Sequence, residues 1–179
     1  AWGEAKDHLA KGHLPDALRR LTPFYNSSDL SPADRQQLGD LLDRLAGTVI
    51  YSKQHHLLAG AYKVSPGQRL REIAEGYKLP WELLARINNV QDPEMLYAGE
   101  ELKVIPGPFH AVVNLRDKEL VLQVHECYAG RMPISIGSDP PPLYGDTGST
   151  RGSIAVSNRD ATDLYFILTE RKSTVVIRK

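Results

Sequence analysis

Residues 62–90 read YKVSPGQRLREIAEGYKLPWELLARINNV, and the hydrophobic period changes along them. GAYKV, residues 60–64, has the make-up of a short strand, bounded by Gly60 and by the turn Ser65-Pro66-Gly67. QRLREIAEGYK then sets Leu70, Ile73, Ala74 and Tyr77 on one helical face. LPWELLARINN opens a second helix at Pro80 and places Leu83, Leu84 and Ile87 for burial. Past VQDPEMLYAGE, the segment ELKVIP returns as a strand. Strand–helix–helix–strand within residues 60–106 predicts a compact α+β unit.

Upstream, residues 2–51 read as helical. Ala5 and Leu9, then Leu14, Ala17, Leu18 and Leu21, fall at helical spacing; Gly12 stops the first helix and Pro15 suits the first turn of the second. SPADRQQLGDLLDRLAGTVIYS carries a strong start signal, with Ser31 to cap, Pro32 at the first position and Asp34 in the first turn. Leu38, Leu41, Leu42, Leu45 and Val49 form its stripe, and the expectation is a small helical bundle. The adjacent His55 and His56 have no accompanying carboxylate or cysteine, so no metal site is expected there.

Downstream of Phe109 the pattern is that of a β-protein. FHAVVNL and ELVLQVH alternate as strands joined by the turn RDKE, and RMPISIG reads as a third strand. SDPPPLYGDTGSTRG is loop, SIAVS a strand, NRDATDLYFILTER a short helix and STVVIRK a final strand.

Composition narrows the function. Lys+Arg and Asp+Glu both total 22 among 179 residues, a neutral balance that argues against nucleic acid and anionic membranes as partners. No apolar run approaches the roughly 20 residues of a membrane span. The chain begins at Ala1, so any signal peptide or anchor is expected to lie outside this sequence. The single Cys127 excludes an internal disulfide and a cysteine-based zinc cluster, and it reads as a small buried hydrophobe; no cofactor is expected.

Three resemblances follow. Residues 61–106 resemble a LysM module: Tyr62 and Val64 in strand one, Pro66-Gly67 in the turn, Leu70, Ile73 and Ala74 in helix one, Leu84 and Asn88 in helix two, and Gly99, Leu102 and Ile105 near strand two. The resemblance implies binding to N-acetylglucosamine polymers, chiefly peptidoglycan or chitin. Its groove would be lined by Ser65, Pro66, Gly67, Gln68 and Leu70 from the first turn and by Met95, Leu96, Tyr97 and Gly99 before the last strand. One departure stands out: the family usually has an acidic residue and then Thr or Ser after the turn glycine, where this chain has Gln68-Arg69. The pattern Ala5, Leu9, Gly12, Ala17, Leu18 is similar to one tetratricopeptide helix pair, although stacking needs about three repeats.

From Phe109 onward the chain resembles an L,D-transpeptidase catalytic domain, a cysteine acyltransferase of peptidoglycan stem peptides. Arg151-Gly152 and Ile154 match that family's motif, Ser153 stands at the nucleophilic cysteine's place, and Ala155 replaces an arginine. The His-Gly segment that supplies the family's base has no counterpart in DTGST, and no histidine follows His125. The family reaction needs a thiolate, readily available from a thiol of pKa near ~8.5, whereas a hydroxyl without an adjacent base is a weak nucleophile. Ser153 is therefore a non-catalytic remnant, a cysteine exchanged for serine, or part of a domain missing a segment between Gly145 and Arg151. The first is favoured, because an exchange leaves Ala155 and the lost segment unexplained.

The expected architecture is α+β in three parts: a helical segment 1–58, a βααβ LysM module 59–107 and a mostly β L,D-transpeptidase-like domain 108–179. The expected function is non-catalytic binding to peptidoglycan or a related glycan, with the β-domain contacting stem peptide or protein, outside the cytoplasm in periplasm or envelope. Two alternatives stay open: an active L,D-transpeptidase, and a structural interaction protein without glycan contact.

Overall fold

The computed structural model describes residues 2–25, 27, 29–54, 58–137 and 153–178; the side chains of Trp2, Lys6 and Ser153 are outside the description. His55, His56 and the whole SDPPPLYGDTGSTRG loop expectation lie outside the described residues. Three helices open the chain, α1 (Trp2–Ala10), α2 (Leu14–Tyr25) and α3 (Pro32–Ala46), and a π-helical turn, Gly47–Tyr51, continues α3. Strand β1 (Tyr62–Lys63), α4 (Leu70–Gly76), α5 (Trp81–Asn88) and β2 (Glu101–Leu102) make the expected βααβ unit, with β1 and β2 antiparallel. Strands β3 (His110–Asn114), β4 (Glu119–Val124) and β5 (Cys127–Pro133) follow, then β6 (Ser135–Gly137), β7 (Ser153–Ala155), α6 (Asn158–Ile167) and β8 (Val175–Arg178). The main sheet runs β5-β4-β3-β8, with β8 parallel to β3, and β6 pairs only with β7 among the described residues.

The start of α3 follows the expected chemistry. Ser31 is extended and its Oγ accepts the Asp34 N–H at 3.1 Å, while Pro32 needs no N–H partner. Ser31→Ala should cost about 1 kcal/mol, read as a lower urea midpoint with unchanged slope.

The helices do not close on themselves as a separate bundle. Leu18, Leu21, Tyr25, Leu38 and Leu42 share one buried cluster with Val121, Leu122 and Tyr128 of the sheet and with Phe109 just before β3. The apolar stripes are real: α1 packs on α2 and α2 on α3, while α2 and α3 also cover β5 of the sheet. Polar groups pin the same layer. Arg131 of β5 donates to Asp40 at 2.7 Å and to Asp43 at 3.2 Å, and its guanidinium lies against Gly39, where a side chain would strike it. Tyr25 donates to Glu119 at 2.8 Å; burial first, then that carboxylate, pushes its hydroxyl pKa up to about 12.

Helix α5 is buried on two sides, which joins the βααβ unit to the rest. Leu83 and Ile87, four residues apart, enter the shared core with Leu79 and Ile105. Leu84 and Ala85 enter a second, smaller cluster with Val64, Leu70, Ile73, Ala74, Leu102 and Val104.

One strand differs from expectation. RMPISIG is not a single strand: β5 begins at Cys127, and Ile134 separates it from β6. The β4–β5 turn is made by His125 and Glu126, both at positive φ (48° and 59°). That two-residue turn geometry favours Asn-Gly, so His-Glu concealed it. The expected C-terminal helix also stops at Ile167. Its start is capped by Ser157, whose Oγ accepts the Asp160 N–H at 3.1 Å.

Candidate functional site

The first wall of the expected groove is a tight turn after β1. The Gln68 N–H donates to the Ser65 carbonyl at 3.2 Å, with Pro66 and Gly67 between them and Gly67 at φ 75°. Proline second and glycine third at positive φ is the signature of a type II turn. The Gln68 side chain stiffens it: Oε1 accepts the Ser65 N–H at 3.1 Å, and Nε2 donates to the Tyr62 hydroxyl at 2.6 Å. The residue that departs from the family pattern thus braces the turn. Glu72 accepts the Arg69 N–H at 3.3 Å where α4 begins.

The second wall repeats the device. The Glu100 N–H donates to the Tyr97 carbonyl at 3.0 Å across Ala98 and Gly99, with Gly99 at φ 87°. The two turns are tied through Val64, whose carbonyl accepts the Gly99 N–H at 2.8 Å and whose N–H donates to the Glu100 carbonyl at 2.9 Å. An ion pair from Arg69 to Glu94 at 3.6 Å spans the same two loops at the surface.

Of the nine expected lining residues, the structure sets Ser65, Pro66, Gly67, Met95, Tyr97 and Gly99 at the surface and leaves Gln68 and Leu96 half-buried. Leu70 is a correction. It is 0% exposed inside the smaller core, so it holds α4 against α5 and meets no ligand. Helical spacing put it on the inward face, and that placement prevails. Met95 and Tyr97 are 64% and 72% exposed; Tyr97 opens the second turn and Met95 lies two residues before it.

A cleft of about 310 Å³ adjoins Met95, Leu96 and Tyr97 on the side of the α5 C-terminus, with Asn89, Gln91 and Lys53 as its other wall. The sequence reading missed that wall. Its available signal was Asn89, which takes the left-handed conformation (φ 57°) that ends α5 and points the chain toward the second turn.

The C-terminal motif is described in part. Arg151 and Gly152 lie outside the described residues; the Ser153 backbone opens β7 opposite Gly137. Ile136 and Ile154, cross-strand partners in the same two-stranded ribbon, are both exposed. Of the nearest histidines in sequence, His110 accepts the Thr174 N–H at 3.1 Å through Nδ1, and His125 occupies the β4–β5 turn. Cys127 is fully buried and burial pushes its thiol up, which keeps it protonated and unreactive.

No helix among the described residues is long and apolar enough to cross a membrane. No curated protein matches the chain. The family model described as LysM domain matches residues 62–104, the span that runs from β1 through both glycine turns to just past β2, so this βααβ unit is a LysM domain.

Proposed function

We propose that the protein binds N-acetylglucosamine polymers of the peptidoglycan or chitin type through the paired glycine turns at 65–68 and 97–100, and that it does so as an envelope protein outside the cytoplasm. The observation that carries this is the pair of turns tied through Val64 beside the exposed Met95 and Tyr97, within a LysM domain. A glycan chain is neutral and ribbon-like. Backbone donors and acceptors in fixed turns meet its hydroxyl and acetamido groups, while apolar side chains cover its ring faces and acetyl methyls. Glycine at the third position of each turn lets the sugar approach the backbone.

The C-terminal region is proposed to add contact with stem peptide or protein and to perform no acyl transfer. Ser153 at the motif's cysteine position and Ala155 at its arginine position support that reading.

Retention on insoluble peptidoglycan and chitin tests the binding claim. Wild-type protein should be retained on at least one, and Tyr97→Ala should weaken retention about tenfold, the equivalent of about 1.4 kcal/mol. No retention on either polymer sinks the proposal. Incubation with peptidoglycan fragments tests the second claim. Intact-mass measurement should show no adduct, and an acyl group on Ser153 would overturn it.

A further inference from the structure

The turn between α1 and α2 brings together residues that the LysM domain does not use. Gly12 sits at φ 72°; its N–H donates to the Leu9 carbonyl at 3.1 Å, and the His13 N–H donates to the His8 carbonyl at 2.8 Å. This nested pair is the Schellman ending of α1. It sets the residue three before the cap beside the second residue after it, and here both are histidines. Their ring centroids are 5.9 Å apart. The Ala17 N–H then donates to the His13 carbonyl at 3.1 Å, so His13 opens α2 and Asp16 lies one helical turn on, along the same face.

One potential ligand atom from each of His8, His13 and Asp16 lies within 4.8 Å of the other two. A second observation points the same way. Nδ1 of His8 is buried and has no hydrogen-bond partner, the only such side-chain nitrogen or oxygen among the described residues. A bare buried nitrogen is costly to leave unmatched. His13 and Asp16 are exposed, so the site opens to solvent. Asp16 also meets Arg19 at 3.8 Å, an exposed pair that competes weakly for the carboxylate.

We propose that His8, His13 and Asp16 bind a divalent transition-metal ion of the zinc class, clasping α1 to α2. Two imidazoles and one carboxylate suit zinc and its neighbours, whereas Mg²⁺ and Ca²⁺ prefer all-oxygen sites. Zinc–ligand bonds of about 2.0–2.2 Å place tetrahedral neighbours roughly 3.3–3.5 Å apart, so side-chain rotations of about an ångström close the site without moving the backbone. Three protein ligands leave the fourth position to water.

Calorimetric titration of the full metal-free chain with Zn²⁺ tests this, with His55→Ala/His56→Ala as a background that removes the other adjacent histidines. That background should still bind one equivalent of Zn²⁺ and gain thermal stability from it. Adding His13→Ala should weaken binding at least thirtyfold and abolish the gain, and adding Asp16→Asn should weaken it about tenfold. Mg²⁺ should give no signal. Absence of saturable binding in the background overturns the proposal, as does a Zn²⁺ affinity that His13→Ala leaves unchanged. His13 is exposed, so its variant should fold, and a circular dichroism melt without metal checks that.

Discussion

Asn88→Ala should lower stability by about 3 kcal/mol and empty the glycan site with it. Asn88 is a buried polar residue whose amide is almost fully used. Nδ2 donates to the Leu84 and Lys103 carbonyls, both at 2.9 Å, and Oδ1 accepts the Lys103 N–H at 2.7 Å. Alanine removes these bonds and leaves the Lys103 backbone groups buried without that partner, at about 1–3 kcal/mol for an orphaned group. For a protein of this size the melting midpoint should fall by roughly 6–12 °C. Lys103 immediately follows β2, and β2 carries the second turn against Val64, so amide exchange should rise first at Val64 and Gly99. Asn88→Asp, which sets a buried carboxylate oxygen against the Leu84 and Lys103 carbonyls, should lose at least as much as Asn88→Ala. A change below about 0.5 kcal/mol for Asn88→Ala would show that the amide is not what holds β2 to α5.

The βααβ unit was legible because its local signals agree with its tertiary role. Pro66-Gly67 and Gly99 mark turns that only particular residues permit, and both helices show a clear apolar period. The surface expected to line a groove was legible less completely. Leu70 carries the same apolar signal whether it faces core or ligand, and only packing decides that it is buried. The cleft wall of Asn89 and Gln91 takes in Lys53 from far back in the sequence, a neighbour that no local pattern connects to them. The helices 2–46 were legible as elements and as partners of one another, but not as partners of the sheet: an apolar stripe states how much surface must be covered, not whether helix or sheet covers it. Strand β5 was misread where His125-Glu126 adopts a turn whose usual residues are absent. The clustering of His8 with His13 is different again. Gly12 shows that a helix ends, but the adjacency of the two rings comes from the three-dimensional form of that ending.

How firmly the LysM domain sits on the N-terminal helices should depend on the charge of Lys103. Its side chain is 2% exposed and leaves the domain altogether: Nζ donates to the Val49 carbonyl at 2.7 Å and to the Ser52 carbonyl at 2.8 Å. These carbonyls lie at the end of the π-helical turn, where a cation is well placed electrostatically. Among the described residues no carboxylate forms an ion pair with it, and burial pushes its pKa down to about 8 from 10.5. Below about pH 8 folded and unfolded chains both carry the charge, and the full burial penalty acts on the fold. Between pH 8 and about 10.4 the unfolded chain keeps a proton that the folded chain has released, so stability rises with pH, by about 1.4 kcal/mol per unit. Lys103→Met has no such slope. The stability difference, wild type minus Lys103→Met, should therefore increase by about 2 kcal/mol from pH 7.5 to pH 9.5 in urea unfolding. Tyr25, Tyr51 and Tyr128 act in the opposite sense: burial, the largest influence on each, holds their hydroxyls protonated past the ordinary range, so alkali costs stability above about pH 10. Both proteins share that loss, and the difference removes it. A difference that stays flat or falls over this window would mean that the two carbonyls hold the ammonium strongly enough to offset its burial.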